Sequence, residues 1–388
     1  MKRSSLPLRV LILQPVIPTY RKRVFEILSA SSDPVFTIIA GDHAEGLRTL
    51  QGAELDQIRH HLVAPRNIRF GGHSGFTWHP EAWRLVRREQ PDCVIVQGSV
   101  YDITSWLVLL WGRWCNVPVL SWTIGLQRSE SGPKWWFRRA FYNLARGLLL
   151  YGDYPKRLLT DGGVPADRIH VIYNSLDVSA QRAAEAMVRE EDVQQLREKL
   201  GIAAGAFVLL FIGRIVPRKR LSISLHAITA LAAQGYDVHL LLIGDGDDVD
   251  NLHSLSLQLA TQRKVHFVGA IYDEIEIAKY MKLSAAALIP EAGLPIIHPM
   301  GYGLPPIISD NLARHGTEWE AVEEGQTGFF YCDNDIDSLI TVIKKCLLDD
   351  EMRLIISKNA RRRAVERYTS EQHAARIIEG VLRFTRRD

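Results

Sequence analysis

The stretch FVLLFIGRIVPRKRLSISLHAI, residues 207–228, decides how the chain is read. It opens with a short apolar run, as a strand buried on both faces does, ends that run at Gly213, and resumes a helical apolar pattern near Leu221. Between strand and helix a tight turn carries Arg214, Pro217, Arg218, Lys219 and Arg220. Glycine lets the backbone approach a ligand closely, a helix start presents free N–H groups, and fixed cations neutralise phosphate oxygens. Taken alone, the segment reads equally as a diphosphate site and as a solvated basic turn.

The same strand-then-helix grammar continues on either side. Downstream come DVHLLLIGDG, KVHFVGA, AAALIP and PPIISD, with helical patterns between them. Upstream, LRVLILQ, VFTIIAG, CVIVQG, VPVLSW and GLLLYGD alternate with RKRVFEILSAS, HPEAWRLVRREQ, TSWLVLLWGRWC and KWWFRRAFYNLA. Short apolar strands alternating with amphipathic helices specify parallel sheets covered by helices, so an α/β chain of two Rossmann-like halves is expected. The pattern restarts after VIYNSLDVSA and the charged segment REEDVQQLREKLGI, which puts the boundary between Leu176 and Lys199. The expected domains are residues 1–185, residues 186–370, and a C-terminal helix over 371–388 packing back on the first domain, with a helix break near Tyr368. Open α/β sheets bind ligands outside the carboxyl ends of their strands, so the expected site is a cleft where the two sets of strand ends face one another.

Composition excludes several other classes. A chain of 388 residues exceeds what one core usually organises, and 47% hydrophobic with 23% charged residues is a globular balance, not a disordered or collagen-like one. The net charge of +3 makes no case for nucleic-acid binding, although residues 1–187 carry +7 and the remainder −4. Cys93, Cys115, Cys332 and Cys346 form no C-x-x-C pair, which speaks against a zinc site or a disulfide framework and fits a reducing cytosol. The basic start MKRSSLPLRVLILQP reads as a first strand and not as a secretion signal. ITSWLVLLWG is cut off by Arg113, and the apolar stretch 283–309 is broken by five prolines, so no segment supplies the roughly 20 continuous residues of a membrane span. No G-x-G-x-x-G follows the first strand in LQPVIPTY, which argues against a dinucleotide site.

Two further segments carry candidate chemistry. In VHLLLIGDGDDVDNL a strand ends in Gly244 and Gly246, and Asp245, Asp247, Asp248 and Asp250 read as helix-start carboxylates in preference to metal ligands, as do Asp333 and Asp335 in YCDNDID. In PEAGLPIIHPMGYGLPPIISD, Gly293 and Leu294 could open a helix whose amides face a ligand, with His298 one turn inside.

Taken in order, GRIVPRKR, IGDGDD, VHFVGAI, PEAGLPIIHPMGYGLPPIIS and EEGQTGFF resemble the donor domain of retaining GT-B glycosyltransferases of the family 4 type, which include many bacterial polysaccharide and lipopolysaccharide sugar transferases. The resemblance is strong from Phe207 to about Tyr368. It is looser in ILQPVIPTYRKRVFEIL, the GLQR region and GDYPKRLLTDGGVPADRIHVIYNSLD. It implies a GT-B fold and a nucleoside-diphosphate sugar as donor substrate, with Arg214 and Lys219 gripping the diphosphate as the catalytic pair. Gly213, Gly244, Gly269, Glu291, Gly293, Leu294 and His298 would complete the donor site, with no metal and no cofactor. The family's two glutamates, eight positions apart, fall here on Pro290 and His298; histidine at the second place resembles a branch of bacterial sugar transferases, and Glu291 could stand in for the first. A histidine that relatives place near the sugar is Ile124 in SWTIGLQR, and His73 or His79 could reach the site from another loop.

For the acceptor side the resemblance implies the first domain, with Tyr20, Arg21 and Arg128 near a glycan or polyprenyl-linked acceptor. The helix pattern KWWFRRAFYNLAR mixes Lys134, Arg138, Arg139 and Arg146 with Trp135, Trp136, Phe137 and Phe141, which suits either an anionic membrane surface or an ordinary covering helix. A cytoplasmic enzyme, peripheral at the inner face of the cell membrane, is the expectation. A catalytically silent nucleotide-sugar binder or scaffold is the alternative.

Overall fold

The structure, a computed structural model, describes residues 6–42, 48–70, 73–291 and 293–385. The chain divides into two units, one made of the residues up to Ser175 together with those from Ser370 onward, the other of Leu176–Thr369.

In the first unit the apolar runs become seven parallel strands: β1 (Arg9–Val16), β2 (Val35–Gly41), β3 (His60–Val63), β6 (Cys93–Gln97), β7 (Val119–Thr123), β8 (Gly147–Leu150) and β9 (Ile169–Val171). Their order across the sheet is β3-β2-β1-β6-β7-β8-β9. A separate antiparallel hairpin, β4 (Arg66–Phe70) with β5 (His73–Trp78), was not expected from an alternation that otherwise spells crossover units. Helices α1 (Lys22–Ala30), α2 (Pro80–Glu89), α3 (Ile103–Cys115), α4 (Gly132–Leu144) and α5 (Asp153–Asp161) follow their strands, and α14 (Ser370–Thr385) returns to this unit. Ala374, Ile377, Val381 and Phe384 of α14 join Val10, Ile12, Phe25 and Trp122 in one buried cluster, so the last helix completes the core that the first strand begins.

The second unit contains α6 (Val178–Met187), α7 (Glu190–Lys199), β10 (Phe207–Ile212), α8 (Ser222–Ala233), β11 (Val238–Ile243), α9 (Val249–Gln258), β12 (Val265–Gly269), α10 (Glu274–Leu283), β13 (Ala286–Ile289), α11 (Ile297–Gly301), β14 (Pro306–Ser309), β15 (Phe329–Tyr331), α12 (Ile336–Leu348) and α13 (Asp350–Arg367). The sheet order β12-β11-β10-β13-β14-β15, parallel throughout, is the doubly wound order of the Rossmann fold. Its central strands are buried along nearly their whole length, as sheets covered on both faces require. Aspartates begin the helices: Asp177, Asp273, Asp335 and Asp349 each accept a backbone N–H of the first turn.

The expected boundary at residue 185 falls inside α6. That helix buries Val178, Gln181 and Ala184 and packs on α10 and α11, which places the division at Ser175 instead. The helix break near Tyr368 is where α13 gives way to α14. Among the described residues no helix is long and apolar enough to cross a membrane.

Candidate active site

In the second unit the chain winds outward from β10 to β12 on one side and from β13 to β15 on the other, so the switch point of the sheet lies between β10 and β13. Ligands of open α/β sheets lodge at the carboxyl ends of such strands. Gly213 follows β10 with φ 143° and Gly244 follows β11 with φ 148°, conformations open to glycine. A Cβ on Gly244 would lie 1.8 Å from the Gly213 carbonyl oxygen. The two glycines let strand pairing run past the strand ends, with the Gly213 N–H donating to Ile243 O at 2.9 Å and the Gly244 N–H to Gly269 O at 2.9 Å.

The basic turn then splits its cations. Arg214 is exposed directly after Gly213, whereas Lys219 closes a 3-10 turn over Pro217–Lys219 and is buried. Its ammonium donates to the carbonyl oxygen of Glu291, on the loop after β13. Burial foremost, and then the positive charge of Arg218, lower the Lys219 ammonium to about 8, with Glu291 opposing. The buried Glu291 carboxylate accepts from Arg218 Nη1 and from Arg314 Nη2, each at 2.7 Å, and Arg314 also donates to Arg218 O at 2.7 Å. Glu291 thus locks the basic turn to the loop of the neighbouring strand, with both carboxylate oxygens engaged by guanidinium groups.

Beyond that loop, a turn over Leu294–Ile296 leads into α11. Pro295 Cγ stands 3.6 Å from where a Cβ on Gly213 would sit, which brings this turn against the end of β10. At Gly293 an added Cβ would come within 3.1 Å of Glu318 Oε2. His298, on α11, places Nε2 2.8 Å from Glu274 Oε1, and the Tyr302 hydroxyl donates to the same oxygen at 2.7 Å. Burial acts to raise the Glu274 pKa, but the bonds from His298 and Tyr302 outweigh it and hold the carboxyl below its ordinary value. Burial and the adjoining carboxylate push the Tyr302 phenol up.

Two acidic readings are corrected in detail. Asp248 does stand at the start of α9, but its carboxylate accepts from the Asn251 side chain at 3.0 Å, not from a backbone N–H. Asp333 caps no helix; it pairs with Arg220 at 3.3 Å and accepts from Asn311 Nδ2 at 2.9 Å. Among the described residues no group of three or more His, Cys, Asp or Glu could hold a metal ion.

In the first unit, Tyr20 and Arg21 follow β1 in a 3-10 turn. The Arg21 guanidinium lies over the rings of Tyr20, Trp122 and Tyr151, 5.4, 5.0 and 5.4 Å from their centroids, and donates to the Tyr151 hydroxyl and to Gln14 Oε1. The resemblance put Arg21 near the acceptor; the structure places it in an aromatic cage and pairs the adjoining Lys22 and Arg23 with Glu26 at 3.9 and 3.5 Å. Arg128 is exposed on the loop after β7. Ile124 is 48% exposed on the same loop. His79 is buried, 3.7 Å from Asp102 and 3.5 Å from Thr104 Oγ1, while the His73 side chain lies outside the described residues.

Two family models match consecutive parts of the chain, Glycosyltransferase Family 4 over residues 36–180 and Glycosyl transferases group 1 over residues 192–363. The chain belongs to the GT-B glycosyltransferase family. Among relatives, an uncharacterised glycosyltransferase of Methanocaldococcus jannaschii is 23% identical over 55% of this chain and 54% of its own length. A lipopolysaccharide core biosynthesis glycosyltransferase of Rhizobium meliloti is 25% identical over 45% of this chain and 49% of its own. The chain thus spans about half the length of the curated relatives it matches. A solved structure of Anabaena HepE in complex with UDP has the same fold, with TM-score 0.72 at 19% identity over 97% of this chain and 99% of that one.

As a GT-B family member, the chain gathers Gly213, Arg214, Lys219, Gly244, Gly269, Glu291, Gly293, Leu294 and His298 at one edge of the second sheet, and keeps Tyr20, Arg21 and Arg128 on the first unit. Sequence reasoning missed Arg314, Glu274 and Tyr302. Arg314 lies in NLARHG and Glu274 in IYDEIEI, segments with no motif of their own, and Tyr302, in the turn directly after α11, falls among glycines and apolar residues where an apolar reading suffices.

Proposed function

We propose that the chain is a retaining, metal-independent glycosyltransferase that moves a sugar from a nucleoside-diphosphate sugar to a cell-surface glycan or lipid-linked acceptor. The reading is carried by one observation: a buried ammonium, Lys219, and an exposed guanidinium, Arg214, stand on one turn at the switch point of a doubly wound sheet. In a transfer with retention the anomeric bond to phosphate breaks early, through an oxocarbenium-like state. The main demand is then to stabilise the leaving diphosphate, which Arg214, Lys219 and the backbone N–H groups near Gly293 and Leu294 can meet with charge already in place. The departing phosphate oxygen can take the acceptor's proton, so no separate base is demanded. Arg214→Ala and Lys219→Ala are each expected to weaken UDP or GDP binding and to lower kcat/KM by roughly 100-fold or more. Undiminished turnover in both variants would remove this donor site.

The silent-binder reading keeps two observations in its favour. Both oxygens of Glu291 are engaged by Arg218 and Arg314, and Ile124 stands where a sugar-contacting histidine would be. Saturable nucleotide affinity without transfer or donor hydrolysis would select it.

For the acceptor we propose a lipid-linked one reached at an anionic membrane surface. Trp114 on α3 is 91% exposed and Trp136 on α4 is 75% exposed, with Phe137 and Leu110 exposed beside them on the same two helices. Glu130 neutralises Lys134 and Arg138, so the attraction falls to Arg113, Arg139 and Arg146. Co-sedimentation with phosphatidylglycerol vesicles, lost in Trp114→Ala/Trp136→Ala, is expected; equal recovery with and without vesicles would discard the surface.

A further inference from the structure

The loop after β13 and the basic turn after β10 meet through two different groups of one residue, Glu291. Its main-chain carbonyl oxygen receives the Lys219 ammonium, while its carboxylate goes to two arginines. Arg218 Nη1 donates to Oε1 and Arg314 Nη2 to Oε2, each at 2.7 Å. Arg314 Nη2 also donates to Arg218 O at 2.7 Å, so the arginine that holds the carboxylate holds the turn as well. Arg314 ends a short turn over Leu312–Arg314 after β14, and these contacts therefore tie together the ends of β10, β13 and β14, three neighbours in the sheet.

A carbonyl oxygen accepts a hydrogen bond without neutralising the ammonium, whereas a carboxylate in the same place would form an ion pair and cancel its charge. Lys219 is buried and makes no ion pair with a carboxylate among the described residues. Glu291 is the carboxylate whose charge already reaches that ammonium, and it belongs to the residue that Lys219 touches. The route to an ion pair is a change of its side-chain rotamer. Two guanidinium groups at 2.7 Å, on a carboxylate whose side chain is 7% exposed, oppose that rotation.

We propose that Arg314, supported by Arg218, is a positioning residue that holds the Glu291 carboxylate off the Lys219 ammonium, so that the ammonium keeps its charge for a diphosphate. The identity of that anion rests on the nucleotide-sugar reading above. To that reading the proposal adds a pair of arginines that keep an internal anion away from the cation the ligand needs.

The test has two independent arms. In the first, carbon-13 spectra of the unliganded full chain, labelled at lysine and assigned with Lys219→Arg, follow the titration of Lys219. It is expected near 8 in the wild type. Arg314→Met frees the carboxylate to pair, which should raise the titration by about one pH unit or more. Adding Glu291→Gln removes that carboxylate and should return the titration to about 8 or below. A titration unmoved by Arg314→Met, or left raised in the double variant, overturns the proposal whatever the nucleotide does. In the second arm, inorganic pyrophosphate, UDP and GDP are titrated at pH 7. Arg314→Met should weaken binding about tenfold, and Arg314→Met/Glu291→Gln should restore it to within about threefold of the wild type. An arginine that met the diphosphate itself, or one that only braced the loop, would leave the double variant no better than the single, and that result overturns the proposal. Should Arg314→Met melt early, Arg218→Met, at a side chain 70% exposed, carries the same comparison. Rescue by Glu291→Gln is expected there too, and its absence overturns the proposal. If the wild type binds none of the three anions, the donor reading falls, and the first arm still decides whether the arginines hold Glu291 off Lys219.

Discussion

At the scale of single residues, the buried Lys219 governs what the site does with a proton. Its ammonium, held down to about 8 chiefly by burial, loses its charge near the upper end of physiological pH. A diphosphate beside it adds negative charge and raises that value, so the complex holds the proton more tightly than the free protein does. Affinity for UDP or GDP should be steady below pH 8 and decline as pH climbs through 8. Near pH 8, binding should draw a fraction of a proton from the buffer, read by calorimetry in buffers of different ionisation heat; no uptake would show that Lys219 does not meet the diphosphate. The sequence named Lys219 and Arg214 because glycine, turn and cations are adjacent in the chain. It could not show that only one is buried, since the oxygen that receives Lys219 belongs to Glu291, on the loop of another strand. Glu274 and Arg314 were hidden for the same reason: their partners are distant in sequence, and neither sits in a patterned segment.

Among the elements, strands were the most legible part. VFTIIAG coincides with β2 and FVLLFI with β10, because a strand covered on both faces is an unbroken apolar run. Short edge elements escaped: HHLV, IHV and FFY carry too few residues to form a pattern, and the hairpin of β4 and β5 was missed although the pair Gly71-Gly72 between its strands is a hairpin signal. The start of α6 was read into the loop VIYNSLDVSA, because its alanine-rich sequence offers few large apolar side chains. The end of β11 is where element geometry is least forgiving. Gly244→Ala places a methyl 1.8 Å from the Gly213 carbonyl oxygen at φ 148°, and should cost on the order of 3 kcal/mol by urea unfolding. Gly269→Ala, at φ 86° with nothing within 4 Å of the new methyl, should cost only about 1–2 kcal/mol. Equal losses would show that the crossing of β10 and β11 can yield.

For the whole molecule, histidines kept neutral by burial, complete at His373 and partial at His266, set the response to acid in both units. Burial first, then the Arg21 guanidinium, lower His373 of α14 to about 3, and burial with neighbouring His239 and Lys264 lowers His266 of β12 to about 4. The unfolded chain takes up these protons near pH 6.5 and the folded one does not. Stability is therefore fully present above about pH 6.5 and drains as pH falls toward 4 and 3, by up to about 1.4 kcal/mol per pH unit for His373 and by less for the half-buried, solvent-screened His266. The melting temperature should drop between pH 7 and pH 5, less so in His373→Phe; an unchanged melting temperature would contradict the burial of the His373 ring. Two α/β units were legible in the restart of the strand pattern, but the route of the chain between them was not. It enters the second unit at Leu176 and leaves at Thr369, with the Leu176 N–H donating to Tyr368 O at 3.0 Å, so the second unit is an insertion whose ends are pinned side by side. On the ribosome this orders assembly. Every strand and helix of the inserted unit emerges before Ala374, Ile377, Val381 and Phe384 are translated, and those four side chains fill the core that Val10 and Ile12 opened. The half made first waits, incomplete, until the half made second has had time to close.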